Sequence, residues 1–162
     1  MTWDLMGGRI DGAIVLAVDA GSDLKSTIEE AAQRENITSG VVISGIGTLE
    51  KVVLRNPKTG SMPPEISIMR MDGPVELLSL EGNISMGVPE EPGAQAKEAI
   101  NFHLHAMVSD KEGRVFGGSV ASGNIVWRQV ELVIAKIGGV ALRREREART
   151  KLTKLVLKKA TD

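Results

Sequence analysis

The chain has 162 residues, of which 42% are hydrophobic and 25% charged, and its formal net charge is −1. These values are typical of one globular domain of ordinary size. The absence of cysteine excludes disulfides, thiolate catalysis and thiolate metal sites, and the absence of Tyr beside only two Trp and two Phe excludes an aromatic platform for stacking bases.

The first third of the chain predicts one strand followed by one helix. An apolar run over Ala13–Val18 ends near Gly21, after which Ser22 or Asp23 can cap a helix. The apolar face of that helix consists of Leu24, Ile28, Ala31 and Ala32. Asn36 suits its end.

After the helix the sequence consists of short β-branched runs separated by turn signals. The runs cover residues 40–46, 49–55, 65–71, 74–85, 101–108, 114–120 and 125–137. Segments 56–60 and 110–113 are typical of hairpin turns and imply antiparallel neighbours, while 86–99 is expected to form a long loop. With one early helix among many strands, the pattern predicts an α+β fold, namely a mainly antiparallel sheet with the early helix packed on it.

The last predicted strand, 125–137, is apolar at both alternating sets of positions. Such a strand needs cover on both faces, and in a chain of this size one cover can come from a neighbouring copy.

The end of the chain differs in charge from the rest. Residues 143–162 hold eight basic and three acidic residues, so this segment carries +5 and the preceding 142 residues carry −6. From Leu142 the sequence contains no Gly or Pro, and its apolar spacing predicts a C-terminal amphipathic helix. We therefore divide the chain into a domain at 1–141 and a basic helix or tail at 142–162.

Basic side chains gather opposite the apolar stripe of that predicted helix. The residues that we expect to contact nucleic acid are Arg143, Arg144, Arg146, Arg149, Lys151, Lys154 and Lys158. The alternative is a terminal helix docked by its stripe, with its charges solvated and arranged in i,i+4 pairs.

The only two histidines, His103 and His105, lie in a predicted strand. Because strand side chains alternate between faces, both imidazoles project from the same face. Neutral imidazole suits a borderline metal ion or proton transfer near neutral pH, and zinc is the first candidate. Two ligands do not complete a zinc site, so the alternative is two polar residues on a wet sheet face.

Several motifs occur in a fixed order along the chain. They are Gly40-Val-Val-Ile-Ser-Gly-Ile-Gly-Thr-Leu, Gly73-Pro-Val-Glu-Leu-Leu-Ser-Leu-Glu-Gly, His103-Leu-His105, Asp110-x-x-Gly113-Arg-Val-Phe-Gly-Gly-Ser-Val, Gly123-Asn-Ile-Val and Val130-Glu-Leu-Val-Ile. Together they resemble the plants-and-prokaryotes-conserved (PPC) domain family over roughly residues 9–138. The resemblance implies a compact domain with a largely antiparallel sheet, assembled as a homotrimer.

The resemblance also implies functional expectations. Plant members accompany a minor-groove AT-hook in DNA-binding regulators, and prokaryotic members are commonly labelled as predicted DNA-binding proteins. Two departures from the family pattern matter here. The third position of the usual histidine cluster is Ser119, and no Arg-Gly-Arg-Pro hook occurs in the chain. We assign Glu76, Gly117, Gly118 and Ser119 to the pocket around the histidine pair.

Three hypotheses for function follow. The first is a trimeric, DNA-associated or regulatory protein whose basic tail contacts double-stranded DNA. The second is a metal-dependent enzyme or small-molecule binder that uses His103 and His105, with a weakly bound divalent metal such as zinc and Glu76 as ligand or base. The third is an assembly module that presents a surface to another protein. No substrate class or catalytic set follows from the sequence, and without a signal peptide or apolar span we expect a cytoplasmic protein with no membrane partner.

Overall fold

The computed structural model describes residues 4–89 and 98–160. In chain order the elements are β1 (Arg9–Asp19), α1 (Leu24–Arg34), β2 (Gly40–Pro57), β3 (Ile66–Gly87), β4 (Ala99–Ser109), β5 (Val115–Val120), β6 (Ile125–Gly138), β7 (Val140–Arg146) and β8 (Thr153–Lys159).

Eight strands form one sheet in the order β1-β6-β2-β5-β4-β3-β7-β8. All neighbours are antiparallel except β3 and β7, which pair in parallel. Strand β2 also pairs directly with β3, so β2, β5, β4 and β3 close on themselves. This closure brings residues from distant parts of the sequence onto one outer face.

Helix α1 forms where its local signals predict it. The Asp23 carboxylate caps it by accepting a hydrogen bond from the Ser26 amide at 3.0 Å, and its other oxygen accepts one from the Gly123 amide at 2.6 Å. Leu24, Ile28 and Ala32 are buried in the same core as the inner faces of the strands. One side chain thus both starts the helix and fastens it to the β5–β6 turn.

The predicted fold class is wrong. The structure is 65% strand and 7% helix, which is a β-rich fold and not an α+β fold with an early and a C-terminal helix. The runs 40–46 and 49–55 merge into β2, and 65–71 and 74–85 merge into β3. The central part of the predicted loop at 86–99, residues 90–97, lies outside the described residues.

The predicted C-terminal helix is the hairpin β7–β8. Val140, Leu142 and Arg144 alternate as buried residues on β7, and this spacing of two outweighs the helical spacing because β7 adds to the edge of β3. The turn needs no glycine, since Lys151 itself adopts the left-handed conformation with φ of 60°. Its amide donates to the Glu147 carbonyl at 2.8 Å.

Candidate functional site

The histidine pair lies on the outer face of β4. Leu104 and Ala106 point from the opposite face into the core, so His103 and His105 are left half-buried and exposed, respectively. Their Nε2 atoms are 3.3 Å apart, and the ring centroids are 5.1 Å apart with a tilt of 48° between the planes. The structure therefore brings the two imidazoles into direct contact.

The strands on both sides determine what else is near the pair. On β5, Ser119 pairs with His105. On β3, Glu81 pairs with His105 and Asn83 pairs with His103. Directly paired residues share a face, with Cβ atoms about 4.5–5.5 Å apart. Ser119, Glu81 and Asn83 are thus the cross-strand neighbours of the histidines.

Glu76, which we predicted to assist the histidines, lies elsewhere. It pairs with Ser109 and is five residues from Glu81 along β3, or about 16 Å at the usual rise of a strand. The acidic neighbour of His105 is instead Glu81, whose carboxylate accepts a hydrogen bond from the Ser79 hydroxyl at 3.0 Å. Glu81 can be identified as this neighbour only from the register between β3 and β4.

Two glycines allow the strands to approach closely at the site. A Cβ on Gly82 would collide with the carbonyl oxygen of His103, and one on Gly118 would lie 2.7 Å from Nδ2 of Asn56 and 2.9 Å from the Arg55 carbonyl oxygen. Gly117 adds a further link, since its carbonyl accepts from Asn56 at 3.0 Å. The Gly-Gly pair therefore docks β5 between β2 and β4 and positions Ser119.

Two imidazoles are the core of any metal site here. Within residues 4–89 and 98–160, no group of three or more His, Asp or Glu side chains has an arrangement that could hold an ion. A metal at this position would take two nitrogen ligands from the protein, and its other positions would be filled by Ser119, water or a bound molecule.

The basic residues of the predicted tail are separated by the hairpin. Arg144 is 6% exposed, and its guanidinium donates to Oδ1 of Asn83 at 2.9 Å and to the Ser85 hydroxyl at 3.3 Å. Arg143, on the other face of β7, is ion-paired with Glu98. These two arginines therefore serve contacts within the chain.

Two lysines of the hairpin also lie near carboxylates. Lys158 lies 2.5 Å from Glu145, and the hydrogen bond and charge of Lys158 hold the pKa of Glu145 below its usual range. Lys154 is 4.0 Å from Glu147. A hydrogen bond from Thr150 lowers the pKa of Glu147 against the opposing effect of desolvation.

The remaining predicted contacts cluster at the β7–β8 turn. Arg146 donates to the backbone carbonyl of Lys151 at 3.1 Å, while Arg149 and Lys151 are exposed. The turn thus presents two cations, Arg149 and Lys151, to solvent.

A cavity of about 290 Å³ is lined mainly by residues of β1, β6, β7 and β8, and neither histidine lines it. Its lining is apolar except for Arg9, whose Nε is 2.7 Å from the Asp11 carboxylate. It offers little chemistry beyond hydrophobic contact.

Across the described ranges, no helix is both long and apolar enough to cross a membrane.

These features define a class of protein: a mostly antiparallel β domain that carries a contacting histidine pair on its outer sheet face. The model of the Plants and Prokaryotes Conserved (PCC) domain matches residues 6–138, and the chain belongs to this family. The family resemblance in the sequence is therefore confirmed. The match ends just before β7 begins, so the hairpin lies outside it.

Solved structures of other proteins share this fold. A metal-containing protein from Archaeoglobus fulgidus has 23% identity and a TM-score of 0.75, with 95% of this chain and 99% of that chain covered. A proposed DNA-binding protein from Bacteroides thetaiotaomicron has 17% identity and a TM-score of 0.69, with 91% and 94% covered. Both likenesses show the shared fold.

A sequence relative is the bifunctional protein GlmU of a Synechococcus strain, which is 27% identical over 115 residues. That match covers 71% of this chain but only 16% of the GlmU chain. The chain thus spans about one sixth of the length of this relative.

Proposed function

We propose that this chain is a metal-binding protein whose site is the histidine pair, and that a divalent transition metal such as zinc binds between His103 and His105. The observation that carries the proposal is the 3.3 Å separation of the two Nε2 atoms. Two nitrogens bound to one tetrahedral zinc at about 2.0–2.1 Å lie about 3.3–3.4 Å apart, so the pair needs little rearrangement to hold the ion.

The residues around the pair fit a site that keeps open positions. Ser119 stands where a third imidazole would complete the set, and a hydroxyl is a weaker ligand for zinc than imidazole is. Glu81 faces the same space from β3 and supplies negative charge. Such a site binds metal with modest affinity and leaves room for water or a second ligand.

Calorimetric titration of untagged, metal-free protein with zinc tests the proposal. We expect one zinc per chain, with affinity reduced at least tenfold by His103→Ala and by His105→Ala. Met107→Ala is the matched control, because Met107 is exposed on the same face of the same strand and should not affect zinc binding. Equal zinc affinity in all four proteins would overturn the proposal.

Association with double-stranded DNA is a second candidate, and the exposed turn of the hairpin favours it. Arg149 and Lys151 extend at the end of an element that lies outside the family match, so we propose residues 142–162 as an appended basic arm on the 1–141 domain. The fold shared with proposed DNA-binding proteins supports this role. No AT-hook sequence is present, so binding would depend on phosphate contacts.

We further propose that the protein acts as a homotrimer. Val15 and Ile46 are 78% and 52% exposed, and both lie beside β6 on the face that carries the histidines. Together with the half-buried Val133 they form what we name the apolar patch. We expect a second copy of the chain to cover the apolar patch, because the patch and the metal site lie on one continuous sheet face.

A further inference from the structure

A charged side chain, that of Arg55, shares the outer face with the histidine pair, and no step of the metal hypothesis uses it. Arg55 on β2 pairs with Ser119 on β5, and Ser119 pairs with His105 on β4. The three side chains therefore form a row across adjacent strands and project from one face. The row exists because Gly118 lets β5 fit against β2.

The environment of Arg55 suits an anionic ligand. Its side chain is half-buried, and within the described parts of the chain no hydrogen bond or ion pair engages its guanidinium. By contrast, Arg114 in the β4–β5 turn lies 2.7 Å from Asp110. A partly desolvated guanidinium with five unused donors favours an anion that can accept from two of them at once.

The spacing leaves room for a small molecule between Arg55 and the histidines. Two strand spacings separate the backbones of Arg55 and His105, which is about 10 Å. Between them the short Ser119 side chain can donate a hydrogen bond without filling the space that an imidazole would occupy. On the far side, Arg55 pairs with the exposed Ile68, which offers an apolar surface to the carbon part of a ligand.

We infer that the site binds a small organic carboxylate, held by Arg55 and the Ser119 hydroxyl and extending toward His103 and His105. A monoanion fits better than phosphate, because the row across β2, β5 and β4 contains one guanidinium, while Glu81 and the charge of −6 on residues 1–142 repel a second negative charge. The inference rests on the proposed metal site only for the contacts at the histidine end of the ligand; the contacts with Arg55 and Ser119 do not depend on it.

In the first test, metal-free protein is titrated with sodium acetate as the probe. Binding is monitored by NMR at an ionic strength held constant with sodium chloride. We expect saturable shifts at Arg55, Ser119 and His105. Arg55→Gln should weaken acetate binding at least tenfold, and Arg55→Lys should weaken it several-fold because the ammonium lacks the planar fork. Arg128→Gln is the matched control, since Arg128 is an exposed arginine on β6, away from the row.

Sodium phosphate is titrated in the same way and should bind more weakly than acetate at neutral pH. Equal acetate affinity in wild type, Arg55→Gln and Arg128→Gln would overturn the inference, as would tighter binding of phosphate. Ser119→Ala provides a second variant in case Arg55 substitutions disturb folding, and it should weaken acetate binding by a factor of several.

The second test separates this inference from the metal hypothesis. Zinc titrations with and without saturating acetate should show that acetate raises zinc affinity, and that Arg55→Gln abolishes this coupling. Arg55-dependent acetate binding without zinc binding would support the carboxylate site and refute the metal site. Histidine-dependent zinc binding without acetate binding would refute the carboxylate site and leave the metal site standing.

Discussion

The buried guanidinium of Arg144 donates to Oδ1 of Asn83, and Asn83 pairs directly with His103. Because a guanidinium has no acceptor, it is the oxygen of the Asn83 amide that faces Arg144, and its NH₂ group is turned away. The β7–β8 hairpin is thus joined to the strand beside the histidines by a buried charge-assisted hydrogen bond.

We predict that Arg144→Ala lowers the free energy of unfolding by about 2–3 kcal/mol, since it leaves buried acceptors on β3 unmatched. Urea denaturation measures this. Arg143→Ala is the neighbouring control, and it should cost less than about 1 kcal/mol because both side chains of the Arg143–Glu98 pair remain partly exposed to solvent. Similar losses for both arginines would contradict the structural role of Arg144.

Replacement of Ser119 by histidine should strengthen zinc binding. A third imidazole opposite His105 would complete the three-ligand set of an open zinc site, so we expect zinc affinity to rise at least tenfold, or about 1.4 kcal/mol. Calorimetry measures it. Ser109→His is the control, because Ser109 lies on the same face but about 13 Å further along β4. If Ser109→His increases affinity as much as Ser119→His does, the geometry of the proposed site is wrong.

The proposed trimer predicts a light-scattering mass about three times the chain mass of 17.3 kDa. Val15→Lys places a charge in the apolar patch opposite Val133 and should shift the protein toward monomer at micromolar concentration, because burying an unmatched ammonium is unfavourable. Leu155→Lys, at an exposed apolar position on the β7–β8 hairpin, should leave the mass unchanged. A wild-type monomer at every concentration would exclude the trimer.

The β4–β5 turn should have a characteristic pH dependence. Desolvation acts to raise the pKa of Asp110, but hydrogen bonds from Arg114 and its charge outweigh this effect and hold the pKa below its usual value. The folded-state pKa is therefore the lower one. The stabilising effect is present above the ordinary carboxyl pKa and is lost as pH falls through the folded value.

Asp110→Asn should thus be less stable than wild type at neutral pH, and this difference should shrink in acid as pH falls below the ordinary carboxyl pKa and through the lower folded-state pKa. Urea denaturation across that range measures the difference. Lys111→Gln changes an exposed residue of the same turn. Its stability relative to wild type should not change in this way as the pH falls. A constant difference for Asp110→Asn at all pH values would show that its ionisation does not stabilise the turn.

Local signals in the sequence were sufficient for helix α1, where a capping Asp23 precedes apolar residues at helical spacing. They were also sufficient for the shared face of His103 and His105, which depends only on alternation along one strand. The tail could not be predicted in this way, because its turn uses Lys151 in a conformation that usually signals Gly or Asn.

The neighbours of the histidines could not be found from local patterns. Glu81 and Arg55 reach His105 only through the register of strands that are 24 and 50 positions away in the sequence. That register is set by core packing and by the closure of β2 onto both β3 and β5. Without knowledge of how the strands close, the sequence favours neither Glu76 nor Glu81 as the acidic neighbour of His105.

The hairpin turn provides the last prediction, on DNA binding. Duplex affinity measured by fluorescence anisotropy should be detectable at low salt and fall steeply toward physiological salt, because each phosphate contact releases condensed counterions. The double variant Arg149→Gln with Lys151→Gln should weaken low-salt binding and reduce the slope of log affinity against log salt by about 1–2. The matched control is Lys58→Gln with Lys111→Gln, which removes the same charge from two other exposed turns. If the control pair weakens binding as much, association reflects total charge, and if wild type does not bind at low salt, the hairpin has no role in nucleic-acid contact.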